Sequence, residues 1–356
     1  MQIDFHHAVT YVAARIAGFK HEDAEIIACA AQYVDDTTRS GSICFTNKAM
    51  YYRINSAHRM LDLKNLDDAE NHLVWLPFHF LPGNGNLPAE TALDAFGGKF
   101  IDKLVCYPDS IIAREMVAAA IADRHKRSGL YRLGVTMHVY ADTWAHQGFA
   151  GVLHEVNDVE RPHESDGSGV FNTGLGGFLD EILDEAVPPL GHARANVLPD
   201  MPFLRWKYRN GKNEKKSRNN TELFCQAADA MCRAMQEYRR ADDPTVEVTG
   251  LGEEDMIVVR DLFTSLKKKE GEDRHAFWLQ TIAAGRFSFG PAEIAYAVDG
   301  KNSWKALALG TGSDLPEHDY KETFLSSDWK LFHDALQAHR IAVLHEILPR
   351  FGICAG

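Results

Sequence analysis

The chain has 356 residues, of which 45% are hydrophobic and 25% charged, a composition typical of a globular protein. Its 50 acidic and 38 basic residues give a net charge of −12, which disfavours stable binding to nucleic acids or to anionic membranes. No stretch approaches the length of an apolar membrane span, and the first residues lack a signal-peptide pattern. We therefore expect a cytoplasmic protein with no transmembrane segment.

The histidines of the chain suggest a functional site, whereas the cysteines do not. The six cysteines include no Cys-x-x-Cys pair, so neither a disulfide framework nor a thiolate zinc site is indicated. Histidine is frequent, with 17 residues. The positions of the histidines are therefore the main guide to function.

Helical periodicity dominates the hydrophobic pattern along the chain. The predicted helices are 8–18, 21–37, 109–127, 130–149, 175–187, 221–240, 254–270, 273–284 and 328–347. The best strand pattern is 73–81, and three long irregular stretches lie at 82–108, 150–172 and 188–220. The pattern predicts an all-α fold, a multi-helix bundle with long loops.

The same pattern predicts a single, mainly helical domain over 1–356. Residues 1–205 would form its metal-cluster core and residues 206–356 an accessory helical layer. The polar, basic run 209–216 is typical of a solvated loop, and a nucleic-acid contact there is the less favoured alternative. Long loops in a compact domain often bind ligands.

The sharpest chemical signal is the series His138, Asp142 and His146 within the predicted helix 130–149. Residues four apart on a helix differ by about 40° in direction and about 6 Å in rise, so the three side chains share one face. His138 and His146 are separated by about 12 Å of rise, too far for one ion. The spacing therefore predicts at least two metal ions with Asp142 between them, unless the series is only the solvated polar face of an amphipathic helix.

Further donors must come from elsewhere in the chain, because three side chains cannot complete two coordination spheres. Asp4 and His6 precede the first helix, Asp35 and Asp36 end the second, and His58 follows on a third segment. We expect one of the two consecutive aspartates to face inward. Each of these residues taken alone is more often structural than functional.

Near His146, the sphere would be completed by His192 or His154, with Asp200 a weaker candidate. His192 is favoured because Gly191 permits a close backbone approach. His79 lies between apolar neighbours, as a core histidine or a pocket wall, and is left out of the metal sphere. Imidazole and carboxylate donors without thiolate suit zinc, with manganese or iron as alternatives.

The segment Leu133-Gly134 with His138, Asp142, Trp144 and His146 resembles the signature of the zinc-dependent phospholipase C superfamily. That superfamily includes bacterial phospholipases C, the catalytic part of the glycosylphosphatidylinositol-specific phospholipase D, and zinc-dependent single-strand nucleases. The resemblance is strong over about seventeen residues, and this chain would be a divergent, intracellular branch. It implies a phospholipase C-like or nuclease-like helical fold with up to three zinc ions.

Carried over by position, the resemblance implies a complete set of metal ligands. One zinc would be held by Asp35 or Asp36 with His58, His138 and Asp142, a second by Asp142 and His6, and a third by His146 and His192. Members of that superfamily use a free amino group as a ligand, a role that Asp4 would take here. Asp142 would be the catalytic bridging residue.

These residues predict a zinc-dependent hydrolase of phosphate esters acting on a small or lipid-like substrate. Bound zinc lowers the pKa of water from 15.7 toward about 7, which supplies hydroxide at neutral pH. Two alternatives remain open. The first keeps the metal but assigns another hydrolytic or a redox activity, and the second is a non-enzymatic interaction protein with a structural histidine-rich face.

Overall fold

The structure is a computed structural model that describes residues 1–58, 68–165, 190–191, 195 and 197–355. About 52% of the chain is helical, and two small antiparallel sheets contribute five strands. The predicted all-α fold is therefore wrong, and the fold is mixed helix and sheet.

Eleven α-helices and five strands occur in the described residues. The helices are α1 (Thr10–Ile16), α2 (His21–Asp36), α3 (Asp68–Phe78), α4 (Ile101–Leu104), α5 (Ile111–Ala122), α6 (Gly129–Ala145), α7 (Asn220–Arg240), α8 (Glu253–Ser265), α9 (Gly271–Ala283), α10 (Trp304–Leu309) and α11 (Asp328–Ile341). Strands β1 (Gly41–Cys44) and β2 (Met50–Arg53) form one sheet, and β3 (Val159–Glu164), β4 (Arg205–Asn210) and β5 (Lys215–Asn219) form the other in that order.

Helix α6 is the centre of the fold. It packs against α2, α5, α7 and α11, and all its residues except Leu130 are buried. A helix that is buried on every side is typical of a protein core, but this one also carries His138 and Asp142. Polar side chains in such a place need partners, because burying them unpaired is costly.

The contact between α2 and α6 depends on Gly134. A Cβ atom at this position would lie 2.4 Å from the carbonyl oxygen of Ile27 and 2.7 Å from Cβ of Ala30. The two helix backbones therefore approach each other as closely as only glycine permits. This approach brings the end of α2 alongside the face of α6 that carries His138 and Asp142.

Several sequence predictions agree with the structure and others do not. The predicted helices 21–37 and 221–240 are confirmed within one residue. The prediction of a strand at 73–81 is wrong, because α3 occupies Asp68–Phe78. The helix predicted at 175–187 lies outside the described residues.

Strands also replace two of the predicted loops. β3 lies within 150–172, while β4 and β5 lie within 188–220. In β4, buried Trp206 and Tyr208 alternate with exposed Arg205 and Lys207, which is the period of a strand with one covered face. Among the described residues, no helix is both long and apolar enough to cross a membrane.

Candidate metal centre

Four side chains meet at α6: one comes from α2, two come from α6 itself, and one comes from the turn just after α3. Nε2 of His138 lies 3.3 Å from Oδ2 of Asp142 and 3.8 Å from Oδ1 of Asp35. Nδ1 of His79, just after α3, lies 3.3 Å from His138 Nε2, 3.5 Å from Asp142 Oδ2 and 3.9 Å from Asp35 Oδ1. We call Asp35, His79, His138 and Asp142 the first donor group.

Backbone carbonyl groups orient the histidines of this region. His138 Nδ1 donates to the carbonyl of Ala31 at 2.8 Å, and His79 Nε2 donates to that of Ser56 at 2.9 Å. A carbonyl oxygen only accepts, so each of these nitrogens carries the hydrogen in the neutral ring. The opposite nitrogens, His138 Nε2 and His79 Nδ1, therefore present lone pairs to each other. This second-sphere arrangement is the one usually seen for histidines that bind a metal.

The N-terminal segment supplies a further set of donors. Asp4–Val9 forms a π-helix, a rare conformation that is frequent at functional sites. Within it, His6 Nε2 lies 3.2 Å from Oδ1 of Asp142, and its ring stacks on that of His138 with centroids 3.8 Å apart. The amino group of Met1 donates to the same Oδ1 at 2.7 Å and lies 3.3 Å from Oδ1 of Asp200. We call Met1, His6, Asp142 and Asp200 the second donor group.

The spacing of the first donor group fits a small cation. With metal–ligand distances of about 2.0–2.1 Å, the donors of a tetrahedral zinc site lie about 3.3 Å apart. The distances from His138 Nε2 to Asp142 Oδ2 and to His79 Nδ1 are both 3.3 Å. Among the described residues, Asp142 Oδ2 has no hydrogen-bond donor although the atom is buried. Carboxylate and imidazole donors with unused lone pairs are what zinc, manganese and iron accept.

Asp142 belongs to both donor groups through different oxygens. Oδ2 faces His138 and His79, whereas Oδ1 faces His6 and the amino group of Met1. Neither ring nitrogen of His6 has a hydrogen-bond partner in the described part of the chain. A carboxylate placed in this way can bridge two cations, which is the role that the helical spacing predicted for it.

The electrostatics favour neutral imidazole donors, whereas the amino group of Met1 stays protonated because its pKa is raised to about 11. Burial lowers the pKa of His138 to about 4, and burial together with the neighbouring His138 lowers the pKa of His6 well below 6.5. Burial alone would raise the pKa of Asp142, but His146 and, next, the Met1 amino group hold it well below its usual value. Neutral imidazoles and an ionised carboxylate are the states that bind a metal ion.

Asp35 behaves differently from Asp142. Burial, and next the charge of Asp142, raise the pKa of Asp35 well above its usual value. The raised pKa favours the protonated form of Asp35, and cation binding would act against it. Its side chain is 32% exposed, whereas those of His138 and Asp142 are at most 1% exposed. The centre thus opens toward solvent on the Asp35 side.

His146 lies at the far end of the series. It follows the last residue of α6, and its Nδ1 donates to the carbonyl of His79 at 2.7 Å. Its Nε2 therefore faces Oδ1 of Asp200 at 3.9 Å as an acceptor. His192, expected to complete this sphere, lies outside the described residues. The alternative, His154, accepts a hydrogen bond from the backbone of Val156 at 2.9 Å.

Three residues from the predicted ligand set have other partners. Asp4 forms a fully buried ion pair with Arg274 at 2.6 Å, so it fastens the N-terminal segment to α9. Asp36 accepts hydrogen bonds from Tyr296 at 2.6 Å and from Gln32 at 3.1 Å.

His58 is the third of these residues. Its Nδ1 lies 3.4 Å from Nδ2 of Asn55, and its ring packs near Trp75. The groups of donors within 4.8 Å of one another in the described residues are His6, His138, Asp142 and Asp35, His79, His138. Within the described part of the chain, His79 therefore belongs to these groups and His58 to neither of them.

Sequence reasoning left His79 out of the metal sphere because its apolar neighbours suited a core histidine or a pocket wall equally well. In the structure His79 lies four residues after Trp75, buried just beyond the end of α3. Its neighbours Phe78 and Phe80 are buried, which matched a core histidine equally well. Only the tertiary contact with α6 separates the two interpretations.

A mixed helix and sheet protein with a buried histidine–aspartate centre is therefore the class that fold and site define. The chain belongs to the family of unknown function DUF6765, whose model matches residues 1–347. No curated protein and no solved structure gives a significant match.

Proposed function

We propose that the protein is a metal-dependent hydrolase of phosphate esters, with zinc as its ion and a phospholipid-like ester as its substrate. The observation that carries the proposal is the pair of nitrogens His79 Nδ1 and His138 Nε2, 3.3 Å apart. Since each ring donates its other N–H to a carbonyl, two lone pairs face each other. A cation between them removes this repulsion.

The shared carboxylate supports a centre with two cations. Asp142 directs one oxygen to each donor group, and the groups contain histidines from different parts of the chain. Two metal ions held close together are typical of enzymes that displace groups at phosphorus. When bound, zinc supplies a Lewis acid for phosphoryl oxygens and lowers the pKa of water toward about 7.

The residues of the chain have distinct tasks in this proposal. Asp142 holds the two donor groups together, and the carbonyl groups of Ala31 and Ser56 fix the rings of His138 and His79. The half-exposed Asp35 marks the side from which a substrate reaches the centre. The buried surroundings of the other donors limit access of bulk water there, which strengthens the electrostatic interactions inside.

Metal analysis and an activity panel test the proposal. We expect gently purified protein to hold at least one zinc per chain, and to hydrolyse phosphodiesters or phosphomonoesters in a chelator-sensitive way. Asp142→Asn should lose activity and at least one metal ion while remaining folded, because the amide cannot bridge as a carboxylate does. The matched variant Asp36→Asn should keep its metal.

Three results would contradict the proposal or a part of it. Less than one metal ion per chain would leave the histidine cluster as a structural feature. If the protein held its full complement of metal but hydrolysed no phosphate ester, the metal centre would stand, and its activity would be a different hydrolytic or redox reaction. An Asp142→Asn variant with its full metal content would exclude the bridging role.

A further inference from the structure

The solvent-facing side of the three-stranded sheet carries a cluster of positive charges. Lys207 lies opposite Ser217, and Arg209 opposite Lys215, in the antiparallel pairing of β4 and β5. Residues directly opposite one another on such strands share a face. We call the surface formed by Arg205, Lys207, Arg209 and Lys215 the basic face.

This segment departs sharply from the charge of the whole chain. Residues 205–217 contain six basic residues and one acidic residue, in a chain with a net charge of −12. At physiological ionic strength a charge is screened beyond about 8 Å. A surface in contact with the basic face is therefore influenced by the local excess of positive charge and not by the net negative charge of the whole chain. Attraction of an anionic partner is therefore possible here despite the acidic composition.

Two lysines of the basic face are available for such a partner. Within the part of the chain that the structure describes, neither Lys207 nor Lys215 forms an ion pair, and both are exposed. On the neighbouring strand β3, His163 pairs with Lys207, and the acidic Glu160 pairs with Arg209. The positive charge is thus concentrated on β4 and β5.

The shape of this region favours a lipid bilayer over a nucleic acid. Proteins that bind single strands stack bases on exposed aromatic rings, but Trp206 and Tyr208 of β4 both point into the core. The hairpin turn at Lys212 instead borders a cavity of about 570 Å³ whose lining includes apolar Leu104 and Val152. A cationic face beside a cavity with a partly apolar lining suits anionic headgroups above acyl chains.

The basic face is rigidly connected to the metal centre. Arg218 of β5 donates to the carbonyl oxygens of Ala145 at 2.6 Å and of Trp144 at 3.1 Å, at the end of α6. Gly211 permits the hairpin turn to approach the backbone of Glu155, where a Cβ atom would lie 1.6 Å from the carbonyl oxygen. A surface bound by the hairpin is therefore held in a fixed position relative to Asp142.

We propose that the basic face docks the protein on an anionic phospholipid bilayer. This inference extends the phospholipid-like substrate of the proposed function, but docking itself requires no turnover. Each cation at such a surface changes the binding constant about fivefold. The triple variant K207Q/R209Q/K215Q should therefore bind anionic vesicles about a hundredfold more weakly than the unaltered chain.

Sedimentation with phosphatidylcholine vesicles, with and without phosphatidylserine, measures this binding. The matched variant K267Q/K268Q/K269Q removes the same charge from three exposed lysines elsewhere and should bind as the unaltered chain does. The charge-retaining variant K207R/R209K/K215R should also keep binding. Circular dichroism and thermal melting establish that each variant is folded.

The inactive variant Asp142→Asn separates docking from hydrolysis, because it should sediment with the vesicles like the unaltered chain. Failure of the proposed hydrolysis would leave this result in place. The docking proposal would be overturned if the unaltered chain did not bind phosphatidylserine vesicles at low salt. It would also be overturned by equal losses in the two glutamine triples, or by binding of single-stranded DNA without binding of vesicles.

Discussion

His79 Nδ1 and His138 Nε2 lie 3.3 Å apart, although the two residues are 59 positions apart in the chain. Each ring donates its other N–H to a backbone carbonyl, so neither of the facing nitrogens carries a hydrogen in the neutral state. Protonation of one ring would relieve the contact, but burial lowers the pKa of His138 to about 4. At neutral pH a bound cation is therefore the natural partner of both lone pairs.

Replacing His79 tests this arrangement. His79→Gln should lower the metal affinity by at least about tenfold, because the first donor group loses one of its two imidazole ligands. Isothermal titration of metal into chelator-treated protein measures the affinity. His58→Gln is the matched control and should bind as the unaltered chain does, since His58 packs beside Asn55 and Trp75. Equal losses in the two variants would remove His79 from the donor group.

The consecutive aspartates at the end of α2 allow a second comparison. Asp35→Asn should lose metal affinity, because the Asp35 carboxylate lies 3.8 Å from His138 Nε2. Asp36→Asn should keep the metal and lose stability instead, by about 1 kcal/mol, through its hydrogen bonds with Tyr296 and Gln32. Zinc content by mass spectrometry and urea unfolding measure the two effects. A loss of metal in Asp36→Asn alone would reverse the assignment.

The sequence predicted those parts of the centre that follow from local periodicity. His138 and Asp142 share a face because α6 is helical, and no tertiary information is needed for that step. The choice between Asp35 and Asp36 stayed open, since either could face inward from the end of a helix. His79 and the amino group of Met1 were missed because they reach Asp142 only through contacts between distant segments.

The strands were missed for a related reason. β4 has a clear alternation of buried and exposed residues, but charged Arg205, Lys207 and Arg209 lowered its hydrophobicity to that of a loop. Its inner residues, Trp206 and Tyr208, are buried in the folded chain. A two-residue apolar signal of this kind is too short to identify a strand with one solvent-facing side.

The close approach of α2 and α6 gives a third prediction. Gly134→Ala should destabilise the protein by about 1–3 kcal/mol, because the new Cβ atom would lie 2.4 Å from the backbone oxygen of Ile27. The helices must separate, so metal affinity should fall as well. Gly312→Ala is the control, since a Cβ atom there meets nothing within 4 Å.

Urea unfolding and metal titration of both glycine variants measure these effects. An unchanged stability in Gly134→Ala would mean that α2 and α6 can shift without cost. An unchanged metal affinity with lowered stability would mean that their spacing does not position Asp35 relative to His138.

A buried histidine away from the metal centre predicts a loss of stability in acid. His333 lies in α11 against Trp329, and burial, followed by the charge of Arg53, lowers its pKa to about 3. The unfolded chain has a histidine pKa of about 6.5, so below that pH the unfolded state binds the proton and the folded state does not. His333 contributes in full to the free energy of unfolding above pH 6.5. At pH 5 that contribution is smaller by about 2 kcal/mol.

His333→Gln removes this proton linkage. The variant should be less stable than the unaltered chain at pH 7, because glutamine fits the aromatic surroundings of His333 less well. The difference in free energy of unfolding between the unaltered chain and the variant should narrow by about 2 kcal/mol from pH 7 to pH 5. The reason is that only the unaltered chain loses the stabilising contribution of His333. Urea unfolding with chelator present measures this without interference from bound metal. The control variant His125→Gln, at an exposed position, should keep the full pH dependence of stability. If the stability difference between His333→Gln and the unaltered chain did not change with pH, the proton linkage would be contradicted.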